Sequence, residues 1–290
     1  MLPGVRWSVL LTGVQSGIPA LAAAATLAAA GGLYLAGVRR LAGRGRRWPV
    51  RHTASFLAGL AAIWVAVGSG LAFYDDTSVT LHMVQHILLM MAAPPLLALG
   101  RPVPLAAQSS ARAVQVRVTR LMRSPVITVL THPVVAGIVY FTTMWVMLVD
   151  RGVYDYLVTH QAAHEAGHVL LLAAGLLYWP PLVAPDASRH HLSHPARVVL
   201  LLLSMPLEAL PGIWMRFQST PISPINTLAD TRAGGEVFLV AATGACSLWL
   251  VAIVVQWFAF ALREERREQA RATPDLEWTV PSWAAGPSGS

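Results

Sequence analysis

The chain has 290 residues, 55% of them hydrophobic and only 12% charged, with a mean hydropathy of +0.55. A soluble domain carries about twice that charged fraction, so long uncharged runs between Arg-rich patches point to lipid as the solvent. The net charge of +7 comes from Arg alone; because these residues sit in short loops beside apolar runs, they read as a topology signal and exclude nucleic acid as a partner. The single cysteine, Cys246, lies inside an apolar run, which excludes a disulfide framework and a CxxC metal site.

A membrane span needs roughly 20 mostly apolar residues. Seven segments qualify, over Ile18–Val38, Ala54–Phe73, Val79–Leu99, Val126–Leu148, Val158–Pro181, Arg197–Met215 and Val237–Leu262. The expected fold is all-α, a polytopic bundle of seven transmembrane helices over residues 1–265, followed by a disordered tail over 266–290 that is rich in Pro, Ser and Gly beyond Arg271. The first span reads as a retained anchor: it is long for a signal peptide, lacks a basic segment before it, and is followed by Arg39 and Arg40. Pro94 and Pro95 remove backbone donors near the end of the third span and are expected to kink or end it. Trp179-Pro180-Pro181 reads as an interfacial anchor and helix stop.

The loops assign orientation. Arg39, Arg40, Arg44, Arg46, Arg47 and Arg51 follow span one; Arg101, Arg112, Arg117, Arg120 and Arg123 follow span three; Arg263, Arg266, Arg267 and Arg271 follow span seven. The opposite loops hold Asp75 and Asp76, then Asp150, Arg151 and Asp155, then Arg216, Asp230 and Arg232. The positive-inside rule places the N-terminus outside and the C-terminus in the cytoplasm of a multi-pass protein of the bacterial cell membrane.

Ionisable side chains inside a span are expensive and mark function by default. Span three carries His82 and His86, and span five carries His160, His164 and His168. A spacing of four puts rings on one helical face, about 6 Å apart along the axis, and the topology places all five in the outer half of the membrane. Two such stripes on facing helices suit a metal held between them, with the five histidines as ligands. Imidazole takes copper, zinc, iron or nickel, and a nearby thioether from Met83, Met90, Met91, Met144, Met147 or Met215 biases the choice toward Cu(I). The bland alternatives are interhelical hydrogen bonds for the histidines and gap-filling for the methionines. His52 and His132 read as interfacial, and His190, His191 and His194 as a cytoplasmic cluster that is a metal site, a solvated loop or a lipid-head-group contact.

His164-Glu165-Ala166-Gly167-His168 also spells HExxH, in which two His hold zinc and the Glu activates water. A catalytic zinc needs a third ligand, here His160, His86 or Asp230. This leaves a zinc-dependent intramembrane protease as one alternative, a haem-binding membrane electron carrier with paired His axial ligands as another, and a purely structural scaffold as a third.

Several stretches carry a family resemblance: Leu81-His82-Met83-Val84-Gln85-His86 followed by Met90-Met91-Ala92-Ala93-Pro94-Pro95 and Gly100-Arg101-Pro102; His160, His164 and His168 followed by Gly175-Leu176-Leu177-Tyr178-Trp179-Pro180; Ser193-His194-Pro195; and Leu228-Ala229-Asp230 with Gly234-Gly235. The sequence resembles the CtaG-type assembly factors of caa3-type cytochrome c oxidases, the seven-span bacterial family distinct from the single-span copper chaperone of the same name. The resemblance implies a non-enzymatic role in oxidase maturation, with copper as the metal, oxidase subunits as partners and a soluble extracytoplasmic copper donor upstream. His82, His86, His164 and His168 are then the expected ligands, with His160 as an auxiliary ligand at the mouth of the site. Glu208 departs from the family pattern, where a small or amide residue is expected.

Overall fold

The computed structural model describes residues 7–75, 77–185 and 190–272, which are helical with no strand among them. The helices run α1 (Trp7–Thr12), α2 (Ile18–Gly43), α3 (Val50–Gly68), a 3-10 turn (Gly70–Phe73), α4 (Val79–Ile87), a π turn (Leu88–Ala92), α5 (Ala93–Leu99), α6 (Pro102–Ser109), α7 (Arg112–Met122), α8 (Pro125–Leu130), α9 (Pro133–Val149), α10 (Arg151–Thr159), α11 (Gln161–Tyr178), α12 (Pro180–Val183), α13 (His194–Arg216) and α14 (Leu228–Ala272). Among the described residues, six helical stretches are long and apolar enough to cross a membrane, and α9 with α10 makes a seventh if that pair counts as one span bent by 78°. The molecule is a multi-span membrane protein. From residue 273 on, the tail expected to be disordered lies outside the described residues.

Two expected boundaries shift for stated reasons. The fourth span does not run unbroken from Val126, because Pro133 forces His132 out of the helical region (φ −65, ψ 130) and splits the segment into α8 and α9. The fifth does not begin at Val158. The chain breaks at His160 (φ −127, ψ 99), so α11 starts at Gln161 and the residues before it form the separate helix α10. Asp150 caps α10 by accepting from Val153 N–H at 3.0 Å, which starts a helix where the sequence reading expected a loop.

The third span is the axis of the bundle, with 67% of its central window buried against 17% for α2. It stays helical through Pro94 and Pro95 instead of ending there, and the way it does so explains two tryptophans. In an α-helix Met90 C=O and Met91 C=O would accept from the N–H groups four residues on, which these prolines lack. The indole Nε1 of Trp179 donates to Met90 O at 2.7 Å, and that of Trp249 to Met91 O at 2.9 Å. The pattern recurs in α13, where Pro211 cannot donate to Leu207 O and Trp145 Nε1 does so at 3.2 Å. An orphaned carbonyl costs about 1–3 kcal/mol, and lipid offers no water to replace the missing donor. Trp179 is therefore a buried structural donor rather than the interfacial anchor its Trp-Pro-Pro context suggested.

Small residues let the helices close on this axis. A Cβ on Gly175 of α11 would lie 2.5 Å from Pro94 Cγ, and one on Gly235 of α14 would lie 2.7 Å from Gly212 O of α13. One buried core joins α4, α9, α11, α13 and α14; a second joins α2, α3, α5 and α6. At the start of α4, Asp230 of α14 accepts from Val79 N–H (2.7 Å), Thr80 N–H (3.3 Å) and the Thr80 hydroxyl (2.7 Å). A carboxylate at a helix N-terminus meets both its free donors and its dipole, so Asp230 fixes where the His-bearing helix begins.

Candidate metal centre

α4 delivers His82 and His86 to one face, and α11 delivers His164 and His168 opposite them; all four are buried. The His82 ring stacks on His164 with centroids 4.9 Å apart, and the His164 and His168 rings are 4.5 Å apart. His168 lies 6.3 Å from His82 and 6.2 Å from His86 by ring centroid. The two expected stripes do face each other across one interhelical seam.

The fifth histidine stands apart. Because the chain turns at His160, its ring leaves the stripe and is exposed, stacked on Tyr156 at 4.2 Å, with Nδ1 3.0 Å from Tyr156 O. The structure brings together His82, His86, His164 and His168 and leaves His160 at the α10–α11 bend.

A residue that the sequence reading assigned to a loop joins the cluster instead. The 3-10 turn after α3 carries Asp75 back under the helices, where it is buried, and one ligand atom each from Asp75, His164 and His168 lie within 4.8 Å of one another. Gln85 on α4 holds this carboxylate, donating from Nε2 to Asp75 Oδ2 at 2.8 Å and to Ala66 O at 2.8 Å. A Glu, Gln or Asp one loop away from a His stripe is not visible as a ligand in sequence; the only local signal is the acidic pair Asp75-Asp76 at the end of an apolar run.

The hydrogen bonds of the α4 pair fix its proton positions for neutral rings. His82 Nδ1 lies 3.0 Å from the Asp75 carbonyl oxygen, which only accepts, so His82 carries its proton there. Its bare Nε2 then accepts from His86 Nε2–H at 2.7 Å. This leaves His86 Nδ1 with a lone pair, and that atom is buried without a hydrogen-bond partner, as is Nε2 of His168. Buried ring nitrogens are normally satisfied, and open lone pairs are what a metal takes.

Asp75, His164 and His168 line one wall of a cavity of 660 Å³ between α2, α3 and α11, bordered by Ala20, Ala23 and Leu27 on the α2 side. A lid closes the adjacent face: Tyr154 of α10 is buried with its ring 5.4 Å from His82, while Arg151 ties α10 to Thr220 and Gln218 beyond α13. The Arg-rich loops lie at the other end of the bundle, where Arg44 Nη1 donates to Gln108 O at 3.0 Å.

Glu165 lines the same cavity, where it is exposed and accepts from Gln161 Nε2 at 3.1 Å. The six methionines named above are all buried in the apolar core. His190 reaches Thr128 O (3.1 Å) beside His132, whereas His194 stacks on Phe260 at 4.8 Å, so the expected cytoplasmic cluster does not converge on one point. His52 Nδ1 donates to Leu99 O at 2.7 Å and serves as a helix-end cap.

A family model described as cytochrome c oxidase caa3 assembly factor matches residues 32–259. Among curated proteins, the chain is 29% identical over 260 residues to an uncharacterized protein of Mycobacterium bovis and to one of Mycobacterium tuberculosis, covering 83% of this chain and 39% of each relative. It is 28% identical over 264 residues to an uncharacterized protein of Mycobacterium leprae, covering 83% and 40%. The chain thus spans about two-fifths of the length of the relatives it matches. No solved structure matches.

Proposed function

Because the chain belongs to the cytochrome c oxidase caa3 assembly factor family, we propose that it binds copper within the membrane and passes it to cytochrome c oxidase during maturation, without catalysing a reaction itself. The observation that carries this reading is the convergence of Asp75, His164 and His168 ligand atoms within 4.8 Å of one another, beside two further histidines and at the wall of a cavity. The donor set fits the cargo: imidazole and carboxylate together suit Cu(II) or another borderline divalent ion. His164, His168 and Asp75 would hold the ion, His86 Nδ1 would offer a further nitrogen, and His82 would orient His86.

In the orientation that the Arg loops imply, the cavity opens toward the extracytoplasmic side of a bacterial plasma membrane. That is where a soluble copper donor would load the site and where an oxidase subunit would receive the ion laterally. What the bound ion supplies is a cation to be handed on; the chain's own part is to exclude water, fix the imidazole tautomers and keep α10 over the cluster.

The test is metal content and an optical spectrum of the full chain purified from copper-replete cells, beside a His164→Ala/His168→Ala variant. About one copper per chain, lost in the variant, with no Soret band, is the expected result. Zinc in place of copper supports the protease alternative, a Soret band supports the haem carrier, and no metal in either protein leaves the scaffold.

A further inference from the structure

At the Arg-rich end of the bundle, far from the histidines, α7 links span three to α8 and α9. Its packing neighbours are α6 and α8, the helices on either side of it in the chain, and none of its residues is buried. The spacing i, i+4, i+7, i+8 puts Val114, Val118, Leu121 and Met122 on one face. That face is open: Val114 is 42% and Leu121 58% exposed. Arg112, Arg117, Arg120 and the C-cap residue Arg123 are exposed too, and they lie on the flank and back of the helix. Val116 is the one large apolar side chain on their side.

A helix with one apolar face normally turns that face into a core. Here the apolar face looks outward and the opposite side is cationic, a combination that suits neither lipid interior nor water but does suit the boundary between them. The flanking contacts hold α7 at that level. Arg44, which caps the end of α2, donates from Nη1 to Gln108 O just ahead of α7 at 3.0 Å. Beyond α7, Thr128 O of α8 lies 3.1 Å from Nε2 of His190, in the segment leading into α13. The charge is uncompensated along the chain, since no Asp or Glu occurs between Asp76 and Asp150. On the extension of α14, Glu264 pairs with Arg267 of its own helix at 3.5 Å. A bilayer surface of anionic lipid supplies the missing counter-charge, and each Arg held near it adds attraction.

We propose that α7 is a docking surface for anionic phospholipid: it lies in the membrane interface with Val114, Val118 and Leu121 among the acyl chains and Arg112, Arg117, Arg120 and Arg123 in the field of the phosphates. In the orientation that the Arg loops imply, this is the cytoplasmic leaflet. The 11 residues of α7 cover about 16 Å of that surface. The long Arg stems let the guanidinium groups reach phosphates beside the helix while the backbone stays at the boundary. Because apolar insertion and charge act together, seating depends on lipid charge and weakens in salt. The proposal is independent of whether the histidine cluster holds a metal.

The experiment places a fluorophore on Leu121→Cys in the full chain; the native Cys246 is fully buried, and wild-type chain gives the labelling background. The chain is reconstituted in vesicles of phosphatidylcholine, with or without about one-third phosphatidylglycerol, and quenched from the water with neutral acrylamide. Quenching is expected to be about fivefold weaker in the anionic vesicles, while a label on the outward-facing Thr119→Cys is quenched equally in both. Adding Arg117→Gln/Arg120→Gln/Arg123→Gln to Leu121→Cys should bring the two vesicle types within about twofold of each other. Equal quenching of the Leu121 label in both vesicle types overturns the proposal. If it is shielded in both, the helix sits in the bilayer without reading charge; if exposed in both, the face is left to an acidic protein segment. Should the arginine variant fail to fold, salt decides on Leu121→Cys by itself. At about 1 M, where charges are screened beyond about 3 Å, quenching in anionic vesicles should rise to the phosphatidylcholine value, and no change with salt overturns the site.

Discussion

The two histidine pairs have the same spacing on facing helices, but they are in different chemical states. On α4, His82 and His86 are bonded to each other at 2.7 Å, and His82 is pinned by the Asp75 carbonyl. On α11, His164 and His168 converge on the Asp75 carboxylate and on the cavity. A shared i,i+4 pattern thus yields one pair whose rings bond each other and one that turns toward the Asp75 carboxylate and the cavity. The difference comes from a residue on neither helix: Asp75 offers its backbone carbonyl to the first pair and its carboxylate to the second.

The largest effect is expected from breaking the α11 pair. His168→Ala removes a buried nitrogen that has no other partner. It should weaken metal binding by at least about 100-fold, beyond what loss of an orienting group causes. Equilibrium dialysis of the purified chain against buffered copper measures this. An effect as small for His168→Ala as for His82→Ala would dissolve the distinction between the pairs. Removing His82, which orients His86 rather than facing the ion, is expected to cost on the order of 10-fold.

Asp75→Asn sharpens the comparison from the other side. It keeps the backbone carbonyl that pins His82 but replaces the charged oxygen near His164 and His168. Affinity for a divalent ion should fall by about 10- to 100-fold while the α4 hydrogen bonds persist, so an equal loss of Cu(I) and Cu(II) affinity would show that the carboxylate is not a ligand.

Acid tests both pairs together. A metal takes neutral imidazole, and protons compete for the same lone pair, so affinity is lost across the acidic range in which the rings take up protons. Cation release measured across that range should be steeper in the wild type than in His168→Ala, because fewer rings then titrate with the ion.

How much of this was visible in the sequence differs between fold and site. Helix count, the two His stripes and the Arg-marked end follow from apolar run length and spacing, because lipid allows few alternatives to a helix. The breaks at Pro133 and His160 needed local dihedral and capping information that hydropathy averages away. Asp75 could not be read as a site residue, because its position depends on a 3-10 turn folding a loop back beneath α4. Trp179 looked interfacial because Trp-Pro-Pro usually is; its actual partner, Met90 O, is 89 residues away, orphaned by a proline on another helix. Trp179→Phe tests that assignment: losing the donor should cost about 1–3 kcal/mol of stability, seen as a lower thermal midpoint in detergent, with metal affinity less changed than in any ligand variant.

The smallest effect is expected at His160, and it tests how far the stripe on α11 extends. Periodicity groups His160 with His164 and His168, but the bend at the α10–α11 junction turns its ring onto Tyr156, and its Nδ1 sits against Tyr156 O and the Thr159 hydroxyl, 3.1 Å away. An exposed ring with local partners contributes little to an ion buried behind Tyr154. His160→Ala should therefore leave equilibrium affinity within about twofold, the range of surface substitutions. If His160 receives the ion on its way in, the variant slows loading without changing the final occupancy, which stopped-flow uptake separates from equilibrium dialysis. A loss of affinity matching that of His164→Ala would mean that the chain straightens at residue 160 when metal binds, and that the stripe of three operates as the spacing alone suggests.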